Sequence, residues 1–434
     1  MPARVCNTDE AQIGLQYYLS TSDGTGGRLK TFPEDFRVEE ISDHPPLDDQ
    51  GRYTITTVTS NNWETNRLIR LLARTMRISQ NRIGFAGTKD KRAITSQLMS
   101  FEAPPEALDM VDLKDVYFSE PYRSRKPIQI GDLIGNRFHI TVRDCQLPED
   151  DLMESLRGTA EALQRQKGFP NFFGVQRFGV ARPITHRVGE HIVRGDLRAA
   201  VHCYLSEPSL YENQEVREMR AELVEESRFP SLLASMPKTM SFEKMMVEHL
   251  VRRPEDYAGA IRSLPSNLQM MFVHAYQSYL FNLMLSERMR RGLPLNEPLE
   301  GDVVIPVGEK NFPLHEQPQS VSARNLDLVA RQTRMGRAFV TGILFGSESG
   351  YAEGIMGEIE RSVIERENIQ KDDFIVPGLP YCNSKGSRRE LLCNFSDLRH
   401  EIVDEGYTVS FSLNKGNYAT CLMREFMKSD MECY

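Results

Sequence analysis

The chain reads as an α+β protein whose mixed, largely antiparallel sheet is interrupted by a mostly helical insertion. Three observations predict this class. The first third runs strand, strand, helix, strand, helix, without the regular alternation that a parallel α/β sheet requires. From about Ala181 the apolar residues recur at helical spacing, and strand character returns only at residues 407–413, YTVSFSL.

Each element follows from its residues. Residues 31–41, TFPEDFRVEEI, lead from a proline turn into a strand, and residues 52–60 alternate threonines with Tyr53, Ile55 and Val58 in a second strand. Residues 64–76 carry Leu68, Ile69, Leu72 and Met76 at helical spacing, with Arg67, Arg70, Arg74 and Arg77 giving the outer side a basic character. Next comes NRIGFAGTKDKRAITSQ, residues 81–97, in which residues 83–86 form a short buried strand and Ile94, Gln97 and Met99 a second run ending near Phe101. Between them lies a tight polar loop. Gly84 and Gly87 are expected to let it turn sharply and admit a ligand close to its main chain. Residues 131–143, GDLIGNRFHITVR, alternate Phe138, Ile140 and Val142 inward with Arg137, His139, Thr141 and Arg143 outward, which predicts a basic sheet face. Pro148 opens a helix carrying Leu152, Met153, Leu156, Ala160 and Leu163, and Gly168 closes it.

The middle of the chain is predicted helical over residues 185–205, 241–253 and 265–291. Its aromatic stretch AYQSYLFN, residues 275–282, has the spacing of a core rather than of a base-stacking surface. Residues 296–319, rich in proline and charge, read as loop or hairpin. After the late strand, a loop with Asn414, Lys415, Gly416, Asn417 and Tyr418 feeds a closing helix through Lys428, and such a helix start can receive an anion.

Bulk properties narrow the class. At 434 residues the chain exceeds a usual single domain, so two domains are expected, and 40% hydrophobic with 26% charged residues is ordinary for a globular protein. The start lacks a signal-peptide core and no window approaches the ~20 apolar residues of a membrane helix. A soluble, cytoplasmic protein is expected. The seven cysteines are scattered without a CxxC, and the nine histidines give no HExxH, His186 and His191 being poorly spaced for one helical face. Reduced thiols and no metal are therefore expected.

A net charge of −8 argues at face value against a nucleic-acid partner. Its distribution argues the other way. Between Asn66 and Arg92, the cations Arg67, Arg70, Arg74, Arg77, Arg82, Lys89, Lys91 and Arg92 face the single acid Asp90, and the stretch from Tyr122 to Arg143 adds Arg123, Arg125, Lys126, Arg137 and Arg143 against Asp132. The stretch from Tyr211 to Ser227 is acidic and fits a solvated helix face. This asymmetry suits a phosphate-binding surface around the 88–92 loop.

In that loop Lys89, Lys91 and Arg92 flank Asp90, which suits a charged nucleophile or base facing an anionic substrate. A solvated turn is the bland alternative. Farther on, residues 171–179, NFFGVQRFG, combine aromatics, an amide and an arginine, which fits either a core turn or a pocket where Phe173 stacks on an extruded base and Asn171 orients polar groups.

The stretch GFAGTKDKRAITSQ closely resembles the aspartate motif of the TruD family of tRNA pseudouridine synthases. NFFGVQRFG resembles the family's NYFGxQRFG, with Phe172 in place of the usual Tyr. Gly416, Asn417, Tyr418, Ala419 and Thr420 followed by Arg424 and Glu425 resemble its ending. These matches span nearly the whole chain in the family's order. The resemblance implies a pseudouridine synthase fold with a family-specific insertion, RNA lying in the cleft between the two lobes, and uridine 13 of tRNA as substrate. The segments are then 1–180, first part of the catalytic domain; 181–390, inserted domain; and 391–434, final strand and helix. It further implies Asp90 as the catalytic residue and Lys30 as its basic partner. Phe36, Asn171 and Tyr418 match nucleotide-binding positions, and Phe173 the pocket aromatic. Arg67, Arg70, Arg74, Lys89, Lys91 and Arg92 are the candidate RNA-backbone contacts. The isomerisation requires no redox step or group donor, so no cofactor is expected. tRNA is the expected partner, without membrane or metal, and a monomer is favoured. A non-catalytic RNA-binding protein and an RNA glycosidase or nuclease are the alternatives.

Overall fold

The computed structural model describes residues 3–308 and 312–434. Residues 1, 2 and 309–311, which fall in the start and in the 296–319 stretch read above, lie outside the described residues. The chain forms two compact units: one of Ser22–Lys167, Asn394–Ser429 and Cys433–Tyr434, the other of Met1–Thr21, Gly168–Cys393 and Asp430–Glu432.

The first unit is built on a ten-stranded sheet. Its strands are β1 (Gly26–Arg28), β2 (Phe36–Ser42), β3 (Tyr53–Asn61), β4 (Ile83–Phe85), β5 (Ile94–Phe101), β6 (Val116–Phe118), β7 (Tyr122–Ser124), β8 (Leu133–Cys145), β9 (Ser396–Val403) and β10 (Gly406–Asn414). The main order is β9-β10-β8-β2-β5-β3-β6, with β1 on β8, β4 on β5 and β7 on β3. β2 and β5 run parallel and every other pair is antiparallel, so the sheet is mixed as expected. The parallel pair matters for the site. It aligns Arg37 with Ile94, and so puts the start of β2 beside the end of the loop that carries Asp90.

Period-two alternation builds the core. Phe138, Ile140 and Val142 on β8 are buried, as are Val409 and Phe411 on β10, and Phe138 stacks on Phe411 with centroids 5.4 Å apart. Helix α1 (Thr65–Thr75) buries Leu68, Ile69 and Leu72 against β3 and β5 residues such as Val58, Met99 and Phe101, leaving its arginines outside. Glu64 caps it by accepting from the amides of Asn66 and Arg67, and these bonds hold its carboxyl below the usual range. Helix α2 (Glu149–Gln166) opens after Pro148 with three acids in its first turn and buries Leu152, Leu156, Ala160 and Leu163.

Gly84 has a different reason from the one anticipated. Neither it nor Gly87 has a positive φ. A Cβ on Gly84 would lie 2.2 Å from the Ile128 carbonyl oxygen, so the glycine admits the main chain of the segment between β7 and β8.

The second unit is mostly helical around the long helix Ser266–Arg290, in which Ala275, Tyr276, Leu280 and Phe281 are fully buried, the core role expected of them. Gly189 of helix Thr185–Val193 allows close packing there: a Cβ would meet the Phe272 carbonyl at 2.0 Å. Residues 185–205, read as one helix, are two, because the chain turns at Gly195 (φ 75°) before helix Leu197–Ser206. The 296–319 stretch, read as loop or hairpin, contains an antiparallel strand pair. Val303–Pro306 pairs with Gln319–Ser320 and Ala338–Leu344, and the latter with Ser387–Glu390, in a four-stranded antiparallel sheet.

The unit boundaries lie at 167/168 and 393/394, where the sequence reading divides at 180/181 and 390/391. Phe169–Pro170 pairs with Leu392–Cys393, which ties the two ends of the segment Gly168–Cys393 together. The first 21 residues also belong to this second unit. Asn282 donates to the Ile13 carbonyl and Ser286 to that of Gly14, so buried polar groups of the long helix satisfy the N-terminal turn. Among the described residues no helix is long and apolar enough to cross a membrane, and the seven cysteines are free thiols.

Candidate active site

Asp90 sits in the irregular stretch between β4 and β5 with its side chain 53% exposed. Lys30 Nζ lies 3.0 Å from its Oδ2. The same ammonium is 4.4 Å from the centroid of Phe36, whose buried ring packs edge-on against Phe138. Lys30 therefore bridges a carboxylate and an aromatic face. Its backbone is left-handed, φ 54°, a conformation that costs a non-glycine residue about 1 kcal/mol or more, and the preceding residue is tied down by Leu29 N donating to the Cys433 carbonyl.

The loop is fastened along its length. Gly131 N donates to the Ala86 carbonyl, Lys89 N donates to Thr65 Oγ1 at 2.8 Å, and Asn62 N donates to the Ala93 carbonyl. Thr65 opens α1, so the basic helix and the Asp90 loop share an anchor. Gly131 also accepts from Lys415 Nζ at 2.7 Å, which brings the turn after β10 to the Ala86 end of the loop. Tyr418, half-buried, stands in that turn as the N-cap of the closing helix Ala419–Met427. Lys30, Phe36, Asp90 and Tyr418 thus all belong to the sheet-containing unit.

Asn171 and Phe173 belong to the other unit, and both are buried. Asn171 donates to the Glu390 carbonyl and accepts from Arg389 at 2.6 Å. Phe173 has its backbone fixed by Asn282, its ring edge-on to Phe281, and the guanidinium of Arg389 4.2 Å from its centroid, with that of Arg177 at 5.7 Å. Arg389 and Asn282 are contacts that the sequence reading missed. Neither is near residues 171–173 in the chain, and no periodicity marks them.

The candidate RNA-backbone residues divide. Arg67, Arg70 and Arg74 share one exposed face of α1, as residues three, four and seven apart do, and Lys91 and Arg92 are exposed beside Asp90. None of these five forms an ion pair among the described residues, and Arg67 also lies over the Trp63 ring at 5.7 Å. Lys89 is a correction. Its side chain is only 6% exposed and its ammonium sits 2.5 Å from the Glu40 carboxylate, so it faces inward and offers no free charge to a phosphate. The basic sheet face is a second correction. Arg137 pairs with Glu39, Arg143 with Asp35 and Glu405, and Arg125 with Asp48, which neutralises much of that surface.

Glu40 is the other residue missed, although a signal was present. Phe36, Val38 and Glu40 alternate along β2, so the carboxylate falls in phase with two buried apolar residues.

Comparison with known proteins gives the family. Residues 12–426 match the family described as tRNA pseudouridine synthase D (TruD). A protein of Methanococcoides burtonii named as a probable tRNA pseudouridine synthase D is 43% identical, covering 96% of this chain and 97% of its own. One of Natronomonas pharaonis with the same name is 40% identical over 98% of both. The crystal structure of a TruD protein from Methanosarcina mazei superposes with a TM-score of 0.89 at 37% identity, covering 98% of each chain. The chain belongs to the TruD family of pseudouridine synthases.

Proposed function

We propose that this chain isomerises a uridine of tRNA, at position 13, to pseudouridine without a cofactor, using Asp90 as the catalytic carboxylate. The observation that carries the reading is the contact of Lys30 Nζ with Asp90 Oδ2 at 3.0 Å, in a loop where Lys91 and Arg92 are exposed beside it. On this reading the sheet-containing unit is the catalytic domain and the unit built on Gly168–Cys393 is the inserted lobe.

The reaction breaks the bond from C1′ to N1, rotates the uracil, joins C1′ to C5 and releases the C5 proton to water. A carboxylate can serve by attacking the sugar or the uracil, or by removing a sugar proton to give a glycal. Either role requires an oriented oxygen, and the Lys30 ammonium 3.0 Å from Oδ2 supplies that orientation. The target carbon is hidden in stacked RNA, so the nucleotide must be extruded at a cost of a few kcal/mol, offset by stacking and phosphate contacts. Phe36, Tyr418, Asn171 and Phe173 are the proposed nucleotide-binding residues. Arg67, Arg70, Arg74, Lys91 and Arg92 are the proposed phosphate contacts.

The test is incubation of tRNA labelled at uracil C5 with the purified protein. Isomerisation releases the label to water and leaves the RNA mass unchanged. Free uracil or a cut chain would point to a glycosidase or nuclease, and unaltered label in every tRNA tried would point to binding without chemistry.

A further inference from the structure

Lys89 and Asp90 are neighbours in sequence with opposite surroundings. The Asp90 side chain is 53% exposed, whereas those of Lys89 and Glu40 are 6% and 1% exposed, and their charged atoms meet at 2.5 Å. Glu40 is fixed on the central strand β2, between β8 and β5, and its second oxygen accepts from Ser42 Oγ at 2.6 Å. Lys89 is fixed also through its amide, which donates to Thr65 Oγ1. Other ties of the loop are backbone hydrogen bonds at its two ends, Ala86 and Ala93, so the Lys89 side chain is its deep attachment in the middle.

A buried ion pair is a poor source of stability, because desolvating both charges cancels most of their attraction. It is strongly directional, however, and here the direction it fixes is that of the main chain one residue from the Asp90 carboxylate. We infer that Glu40 is a positioning residue that acts through Lys89, holding the loop so that Asp90 faces Lys30 and the substrate. This rests on the proposed isomerase reading and adds to it a residue that touches neither the substrate nor Asp90.

The decisive variant is the double substitution Glu40→Leu with Lys89→Met, which replaces the pair by apolar side chains of similar size. Exchanges of this kind are often neutral or stabilising. The inference predicts a melting temperature at or above the parent's, unchanged tRNA affinity and KM, and a kcat lowered by about tenfold or more. Amide hydrogen exchange should rise over residues 87–93 alone. A merely structural pair predicts that kcat recovers along with stability, and parent-like kcat in the folded double variant overturns the inference. Should that variant fail to fold, Glu40→Gln decides by the same split: a lowered kcat at unchanged KM supports the role, an unchanged kcat ends it. If the parent itself releases no C5 label, the isomerase reading fails separately. Exchange over 87–93 then still reports whether the pair anchors the loop, and parent-like protection would refute the anchor.

Discussion

Lys30 carries more structural commitment than its charge alone would require. It holds a left-handed backbone, covers the Phe36 ring and contacts Asp90, three features that converge on one ammonium. Because Asp90 is half open to water, the pair contributes little to stability once solvent screening is counted. Its value lies in orientation. Asp90→Asn, which keeps shape and removes charge, should lower kcat by about 10²–10⁴-fold while leaving tRNA affinity within about twofold, measured by label release and by filter binding. Lys30→Met should lower kcat by about a hundredfold with a small change in melting temperature, since it costs position rather than fold. Parent-like turnover in either variant would remove that residue from the proposed catalytic pair.

Among the elements, α1 is the one most readable in advance. Its apolar residues and its arginines lie on opposite faces, and the structure buries Leu68, Ile69 and Leu72 while exposing Arg67, Arg70 and Arg74. Arg70→Ala or Arg74→Ala should weaken tRNA binding and reduce the slope of log affinity against log salt by about one, with kcat at saturation little altered. The alternation along β8 was equally plain in burial but misleading in charge. A sequence shows that Arg137 and Arg143 point outward; it does not show Glu39, Asp35 and Glu405 waiting beside them. Lys89 illustrates the same limit, because a loop has no periodicity to tell an inward lysine from an outward one.

The packing of helix Thr185–Val193 on the long helix holds a separate prediction. His186 is buried between Phe178 and Tyr279, with no hydrogen-bond partner for its Nδ1 among the described residues. Burial, helped by Arg187, pushes its imidazole down from 6.5 to about 3. Below pH 6.5 the unfolded chain takes up a proton that the folded one refuses. Stability is therefore complete above pH 6.5 and falls as the pH drops toward 3, by up to ~1.4 kcal/mol per pH unit from this group. His186→Phe should flatten the acid limb of a melting-temperature profile between pH 6.5 and 4, and an unchanged limb would refute the assignment.

At the scale of the whole molecule, a net charge of −8 coexists with an arginine face beside the one loop that resembles a catalytic motif. The sequence changes texture near residue 181 and regains strand character at 407, while the structure divides into two units near 167/168 and 393/394. The borders of those units depend on long-range contacts: Phe169 with Cys393, and the N-terminal turn with Asn282 and Ser286. No local pattern at residues 3–21 announces a partner some 270 positions away. For the site, the Asp90 stretch was legible through its wording, while the groups that hold it, Glu40 and Thr65, emerge only when the strands are paired. The most direct measurement is release of label from tRNA carrying it at C5 of uridine 13, with the parent protein and with Asp90→Asn. The account predicts stoichiometric release with intact RNA for the parent and a release rate about 10²–10⁴-fold lower for the variant; equal rates for both, or no release by the parent, would contradict it.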